Sequence, residues 1–206
     1  MLYKRNQLEE AIARTLQVKR FDDLKVRMKR LLVTDRRLGR GKQGRAYAFY
    51  SHKPLGSGIE VTFSSYEAFA LLAALILLGH GIPQAKVVSI LQEVRSDLEA
   101  AHHETLQKDP KELFNAQAIQ AMARSGLLAI DNTAPVFLAF VKLDVGRGRV
   151  QAMISVCRGL QELGKFLKDY AVPGSGATHF EFVRLICTLA ENLAKTHPVK
   201  RGRSRP

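Results

Sequence analysis

Tryptophan is absent from the 206 residues, and only two cysteines, Cys157 and Cys187, are present. With no CxxC pair and no partner histidine at a metal-ligand spacing, these thiols form neither a disulfide framework nor a thiolate metal site. They fit a reducing compartment. Long hydrophobic runs are missing too. The most apolar stretch, residues 68–78, falls well short of the roughly 20 residues a membrane span needs and gives way to Gly79, Gly81 and Pro83. It reads as a buried helix, and no membrane partner is expected. Residues 1–17 alternate charged and apolar side chains and contain no continuous apolar segment of the secretory kind. The expected setting is cytoplasmic, associated with the nucleoid.

Catalytic signatures are also missing. The six histidines make no HxxxH or HExxH spacing, and His102 and His103 are adjacent and diverge on a helix. His80, between two glycines after the apolar run, suits a helix C-terminus, where an imidazole is a favourable dipole partner. No GxSxG, Walker loop or papain-like cysteine context occurs, and Asp131, Asp144 and His179 assemble into no recognisable set. The expectation is a protein that is not an enzyme and takes no metal and no cofactor.

Acidic residues are scarce relative to basic ones: 19 Asp and Glu against 32 Lys and Arg, a net charge of +13. Fold stability does not require such a surplus, and it favours a polyanionic partner. The surplus is concentrated at the ends, with 14 basic and 5 acidic residues in 1–50, a net of +9, followed by −2, +1 and +5 in 51–100, 101–150 and 151–206. Lys200, Arg201, Arg203 and Arg205 supply most of the last value, in a tail over 198–206 whose composition predicts disorder.

Leu8, Ile12 and Leu16 recur at helical spacing and predict a short amphipathic helix. A second helix follows from Phe21, with Leu24, Met28, Leu31 and Leu32 as its apolar stripe and Asp22 and Asp23 at its positive end. At 100° per residue, Lys25, Lys29 and Arg36 align along one flank and Arg30 and Arg37 along the other. Two helices packed by their stripes would leave this cationic face to solvent. Gly39-Arg40-Gly41-Lys42-Gln43-Gly44-Arg45 satisfies GxGxxG, yet a helix precedes it and a strand is predicted after it, the reverse of a dinucleotide fingerprint. It reads as a basic turn offering Arg40, Lys42 and Arg45 to phosphate, or as a plain solvated loop.

Tyr47-Ala48-Phe49-Tyr50 and Ile59-Glu60-Val61-Thr62-Phe63, separated by Pro54, Gly56 and Gly58, predict a two-stranded hairpin. Ser64-Ser65-Tyr66-Glu67 is a capping box for the apolar helix. Pro83 opens another helix, carried by Val87, Leu91, Val94 and Leu98 and extending to about Leu106. Beyond it, a helix is predicted over 110–123 and strand composition over 127–130, 136–143 and 150–156, with Met153 to Cys157 open to either strand or helix. A helix carrying Leu160, Leu163, Leu167 and Tyr170 follows. Thr178 and Glu181 form a second capping box before a last helix with Phe182, Ile186, Leu189 and Leu193. Boundaries are expected near 106/107 and 197/198, giving 1–106, an α+β module of unknown role over 107–197, and the tail.

Two short helices, a basic hairpin, an apolar helix and a glycine-initiated helix, in that order, resemble the N-terminal domain of MerR-type winged-helix regulators over residues 5 to about 95. Tyr47-Ala48-Phe49-Tyr50 is similar to that family's Tyr-Arg-x-Tyr wing run, with Ala48 at the arginine position. Gly81-Ile82-Pro83-Gln84-Ala85-Lys86-Val87-Val88-Ser89-Ile90-Leu91 is similar in spacing to its segment leading into the fourth helix. The resemblance implies an α+β, mainly α fold with an N-terminal winged helix-turn-helix, and a homodimeric transcriptional regulator of double-stranded DNA. Lys25, Lys29, Arg30, Arg36, Arg37, Arg40, Lys42, Arg45 and Tyr47 are the expected contacts. Two alternatives stay open: an RNA-binding or ribosome-associated accessory protein stacking bases on Tyr47, Phe49 and Tyr50 beside Arg45, together with the basic tail, and a protein-interaction module whose half beginning near Pro110 binds a partner, the charge serving solubility alone.

Overall fold

The computed structural model describes residues 1–39, 47–52, 61–123, 130–144, 150–172 and 175–198. It is an α+β protein, mostly helical, and the chain divides into two compact units. One comprises residues 1–95 with 188–206, the other residues 96–187. The first division falls at the start of a helix and the second inside one, where neither composition nor turn residues mark it. The linker-like run at 107–110, read from sequence as the boundary, lies within the second unit. The expected basic tail, from 199 onward, lies outside the described residues.

In the first unit a short strand β1 (Tyr3–Lys4) leads directly into α1 (Arg5–Thr15), and α2 spans Phe21–Gly39. Between them Gln17 takes a left-handed conformation, φ 51°, so that the Val18 N–H donates to the Ala13 carbonyl at 3.0 Å. Strand β2 (Thr62–Phe63) precedes α3 (Ser65–Gly79) and α4 (Gln84–Glu93). The Ser64 capping box forms as read: Ser64 Oγ accepts the Glu67 N–H at 3.1 Å, and Glu67 Oε2 accepts the Ser64 N–H at 2.7 Å. Residues 66–75 and Leu77 of α3 are buried on all sides, as a helix apolar all round must be. Helices α1, α2 and α4 pack on it, with Leu8, Ile12, Leu24, Met28 and Leu31 among the core side chains. Gly81, φ 77°, ends α3 by a Schellman turn, in which the Ile82 N–H donates to the Leu77 carbonyl at 3.2 Å. Residues 188–198 return to this unit, where Gln7 Nε2 donates to the Thr196 carbonyl at 3.1 Å and Asn192 Nδ2 to Thr15 Oγ1 at 3.0 Å.

The expected hairpin is corrected. Tyr47-Ala48-Phe49-Tyr50 is not a strand, and Thr62–Phe63 pairs antiparallel with Tyr3–Lys4. Its aromatic composition reflects burial: Phe49 is 0% and Tyr50 4% exposed.

Helix α5 (Arg95–Gln107) leads into the second unit, which holds α6 (Pro110–Leu113), α7 (Ala116–Ala123), β3 (Val136–Asp144), β4 (Val150–Arg158), α8 (Gly159–Tyr170) and β5 (Gly176–Glu181), and from which α9 (Val183–Ala194) leads out. The helix read from Pro83 to about Leu106 thus breaks at Val94, and that over 110–123 breaks after Leu113. The strand read over 127–130 falls mostly outside the described residues. The sheet is antiparallel in the order β4-β3-β5, and α8 covers one face with Leu163 and Phe166 against Phe137, Ala139, Val141 and Cys157. Thr178 and Glu181 do not form a capping box, because both lie in β5. Glu181 instead caps from the strand end, its Oε1 accepting the Val183 N–H at 2.9 Å and Asn132 Nδ2 at 3.1 Å. Burial pushes this carboxyl above its ordinary value.

His102, 4% exposed in α5, carries a pH dependence. Desolvation, with the charge of His103, lowers its pKa from 6.5 to about 4. The unfolded chain takes up this proton near 6.5 and the native chain only near 4. Stability is therefore full above pH 6.5 and falls as pH drops toward 4, by about 3 kcal/mol in all. Urea unfolding at pH 7.5 and 4.5 should show a loss about that much larger for the native sequence than for His102→Leu. Equal losses would contradict the assignment.

Candidate nucleic-acid interface

The inner face of α2 is held by two kinds of contact. Leu24, Met28, Leu31 and Leu32 supply the apolar part. Asp35, 0% exposed, sits on the same stripe and supplies the polar part. Its Oδ1 accepts the Ala48 N–H at 3.0 Å and Gln92 Nε2 at 2.7 Å, and its Oδ2 accepts the Phe49 N–H at 2.9 Å. Burial pushes the Asp35 carboxyl above its ordinary value, opposed by these donors and by the Arg95 charge. Arg95 Nη1 donates to the carbonyls of Tyr47, Ala48 and Tyr50 at 2.5, 3.2 and 3.0 Å. Its Nη2 lies 3.9 Å from Glu67 Oε1, which also accepts the Ser51 hydroxyl at 2.8 Å. Farther along α2, Gln84 Nε2 donates to Thr34 Oγ1 and to the Arg30 carbonyl. Segment 47–51 is thereby clamped against α2, α3 and α4, and the roll of α2 about its axis is fixed.

That roll decides which of the expected contacts face outward. Lys29, Arg30 and Arg37 are exposed, and none of the three is in an ion pair among the described residues. Arg27, not singled out from sequence, is exposed as well; it lies near the apolar stripe on the helical wheel, where a flank count passes over it. Lys25 is half-buried, its ammonium 4.2 Å from the Phe21 ring centroid and 3.6 Å from Asp22 Oδ1. Arg36 is half-buried over the Tyr50 ring at 5.3 Å. Burial pushes the Tyr50 hydroxyl above its ordinary value, which Arg36 opposes. Arg40, Lys42 and Arg45 lie outside the described residues. Tyr47 is half-buried, 6.1 Å edge-to-face from Tyr50, with its ring so close to Gly39 that a methyl there would overlap it. Phe49 and Tyr50 are buried, so their rings are not open to stack on a base; of the other residues in the RNA alternative, Tyr47 is half-buried, and Arg45 and the basic tail from 199 onward lie outside the described residues.

In the second unit a cleft of about 430 Å³ is lined by Glu104, Lys108, Thr133, Pro135, Arg158 and Gln161, among others. Arg158 Nε is paired with Glu104 at 3.1 Å. Among the described residues, no group of three or more His, Cys, Asp or Glu side chains could hold a metal ion, and no helix is long and apolar enough to cross a membrane. No family model, curated protein or solved structure matches the chain.

Removing the Asp35 carboxylate strands two buried backbone donors, each costing about 1–3 kcal/mol. Asp35→Ala should lower the unfolding free energy by about 3 kcal/mol and abolish amide-exchange protection at Ala48 and Phe49. Lys29→Ala, Arg30→Ala and Arg37→Ala should each change stability by less than about 0.5 kcal/mol. Retained protection at both amides in Asp35→Ala would contradict the clamp.

Proposed function

We propose that this chain binds double-stranded DNA as a homodimeric transcriptional regulator, laying the outward face of α2 in the major groove. The observation that carries the reading is the outward set Lys29, Arg30 and Arg37, within a segment of net charge +9. Unpaired cations on a rigid helix are what phosphate neutralisation requires, since each contact releases a counterion. The helix is held from behind by an apolar stripe and a hydrogen-bonded carboxylate, so docking costs little ordering entropy. In the resemblance to MerR-type regulators α1 and α2 take the places of the helix-turn-helix; the reading draws nothing from the wing, since Tyr47-Ala48-Phe49-Tyr50 is not a strand and Thr62–Phe63 pairs with Tyr3–Lys4. A dimer would place two copies of α2 on half-sites about one helical turn apart.

Replacing Lys29, Arg30 and Arg37 together with Ala tests the proposal by fluorescence anisotropy on a random duplex across a salt series. Three contacts are lost from each of two protomers, so the slope of log affinity of the dimer against log salt should shrink by about five, with the thermal midpoint unchanged. An unaltered slope and affinity would overturn the reading.

A further inference from the structure

Two valines stand in the middle of the cationic face. Val26 is 48% and Val33 56% exposed. Seven residues apart, they lie within about 20° of each other on a helix and opposite the Leu24, Met28 and Leu31 stripe. The other large apolar side chains exposed among the described residues sit at the chain start (Met1, Leu2), at or near helix ends (Phe21, Leu106, Tyr170) or just past a helix (Val172). Val26 and Val33 alone among them occupy a helix interior.

Nothing among the described residues repays that placement. A β-branched residue is a weaker helix former than lysine, arginine, glutamine or glutamate, and its exposed methyls forgo burial. A position that breaks a local rule without an internal gain is where an external contact is expected. The occupant follows from the surrounding charge. Lys29 and Arg30 lie between the valines in sequence and Arg37 one turn beyond, while the acids of this helix's exposed surface, Asp22 and Asp23, are in its first turn. In a second copy of the same face Lys29 and Arg30 would meet the same two cations whichever way the helices run, although an antiparallel pair would set Arg37 against Asp22. A polyanion with methyl groups on the floor of a helix-wide groove meets both demands, and thymine is the base that displays a methyl in the DNA major groove.

We infer that Val26 and Val33 read the C5-methyl groups of two thymines, flanked by phosphate contacts from Lys29, Arg30 and Arg37. Seven residues rise about 10 Å, which spans about three base steps of 3.4 Å, so the two thymines are about three base pairs apart. The inference rests on the duplex-binding reading above and adds its sequence preference.

The test selects preferred duplexes from a randomised library with the full chain, then exchanges each selected thymine for deoxyuridine, which removes only the methyl. Two thymines about three positions apart should emerge. Each exchange should weaken binding of the native protein about threefold to fourfold, the effect of one buried methyl group. Val26→Ala should abolish the penalty at one thymine and Val33→Ala at the other. Both exchanges favour helix formation, so neither variant is expected to unfold. Tight, salt-dependent duplex binding with no sequence selected, or with no thymine–deoxyuridine difference, would overturn this inference and leave the DNA reading standing. Self-association lost in the valine variants, without a methyl effect, would assign the face to a second copy and overturn it as well. Absence of duplex binding would remove both readings.

Discussion

The burial of Asp35 is the constraint on which the first unit depends. A carboxylate withdrawn from water is costly unless donors surround it, and here two backbone N–H groups and the Gln92 amide do so. Arg95 completes the arrangement from the other side, gathering three carbonyls of the same segment beside Glu67, whose second oxygen caps α3. Irregular backbone over 47–51 could not otherwise be buried, because its donors and acceptors have no ladder to join. Three charged side chains thus stand in for a sheet, and in doing so they orient α2.

The second unit solves a related problem with one residue. Glu181, at the end of β5, takes the amide of Asn132 and the N–H groups of Val136 and Val183, joining a turn, a strand start and a helix start. In both units burial raises a carboxyl's pKa, and the hydrogen bonds that the carboxylate accepts oppose the shift. His102 is the basic counterpart, kept neutral by the same loss of solvent.

Much of this was legible in the residues because it is local. The Ser64–Glu67 box, the apolar α3, the amphipathic α1 and α2 and the core strand β3 follow from composition, periodicity and capping chemistry within a few positions, whereas residues 153–157 of β4 fit strand and helix alike. The partner of Thr62–Phe63 was not legible, since it lies about sixty residues away at the chain start and two-residue strands carry no pattern. Tyr47-Ala48-Phe49-Tyr50 misled because aromatic residues favour strands and cores alike. Asp35 did leave a signal: on the helical wheel it falls within about 20° of Leu24, amid the apolar stripe, where a charge calls for buried partners. Of the candidate interface, the flanks of α2 could be read from the sequence, but the roll of the helix could not. That roll turns Lys29, Arg30, Arg37 and the two valines to solvent and draws Arg36 toward Tyr50.

The most direct measurement is equilibrium binding of the full chain to a random DNA duplex, the matching single strand and a structured RNA, each across a salt series from 50 to 200 mM as a range over which phosphate contacts are decisive. The account predicts a steep salt dependence with the duplex preferred at every salt concentration. Equal affinity for all three, or a preference for the single strand or the RNA, would contradict it.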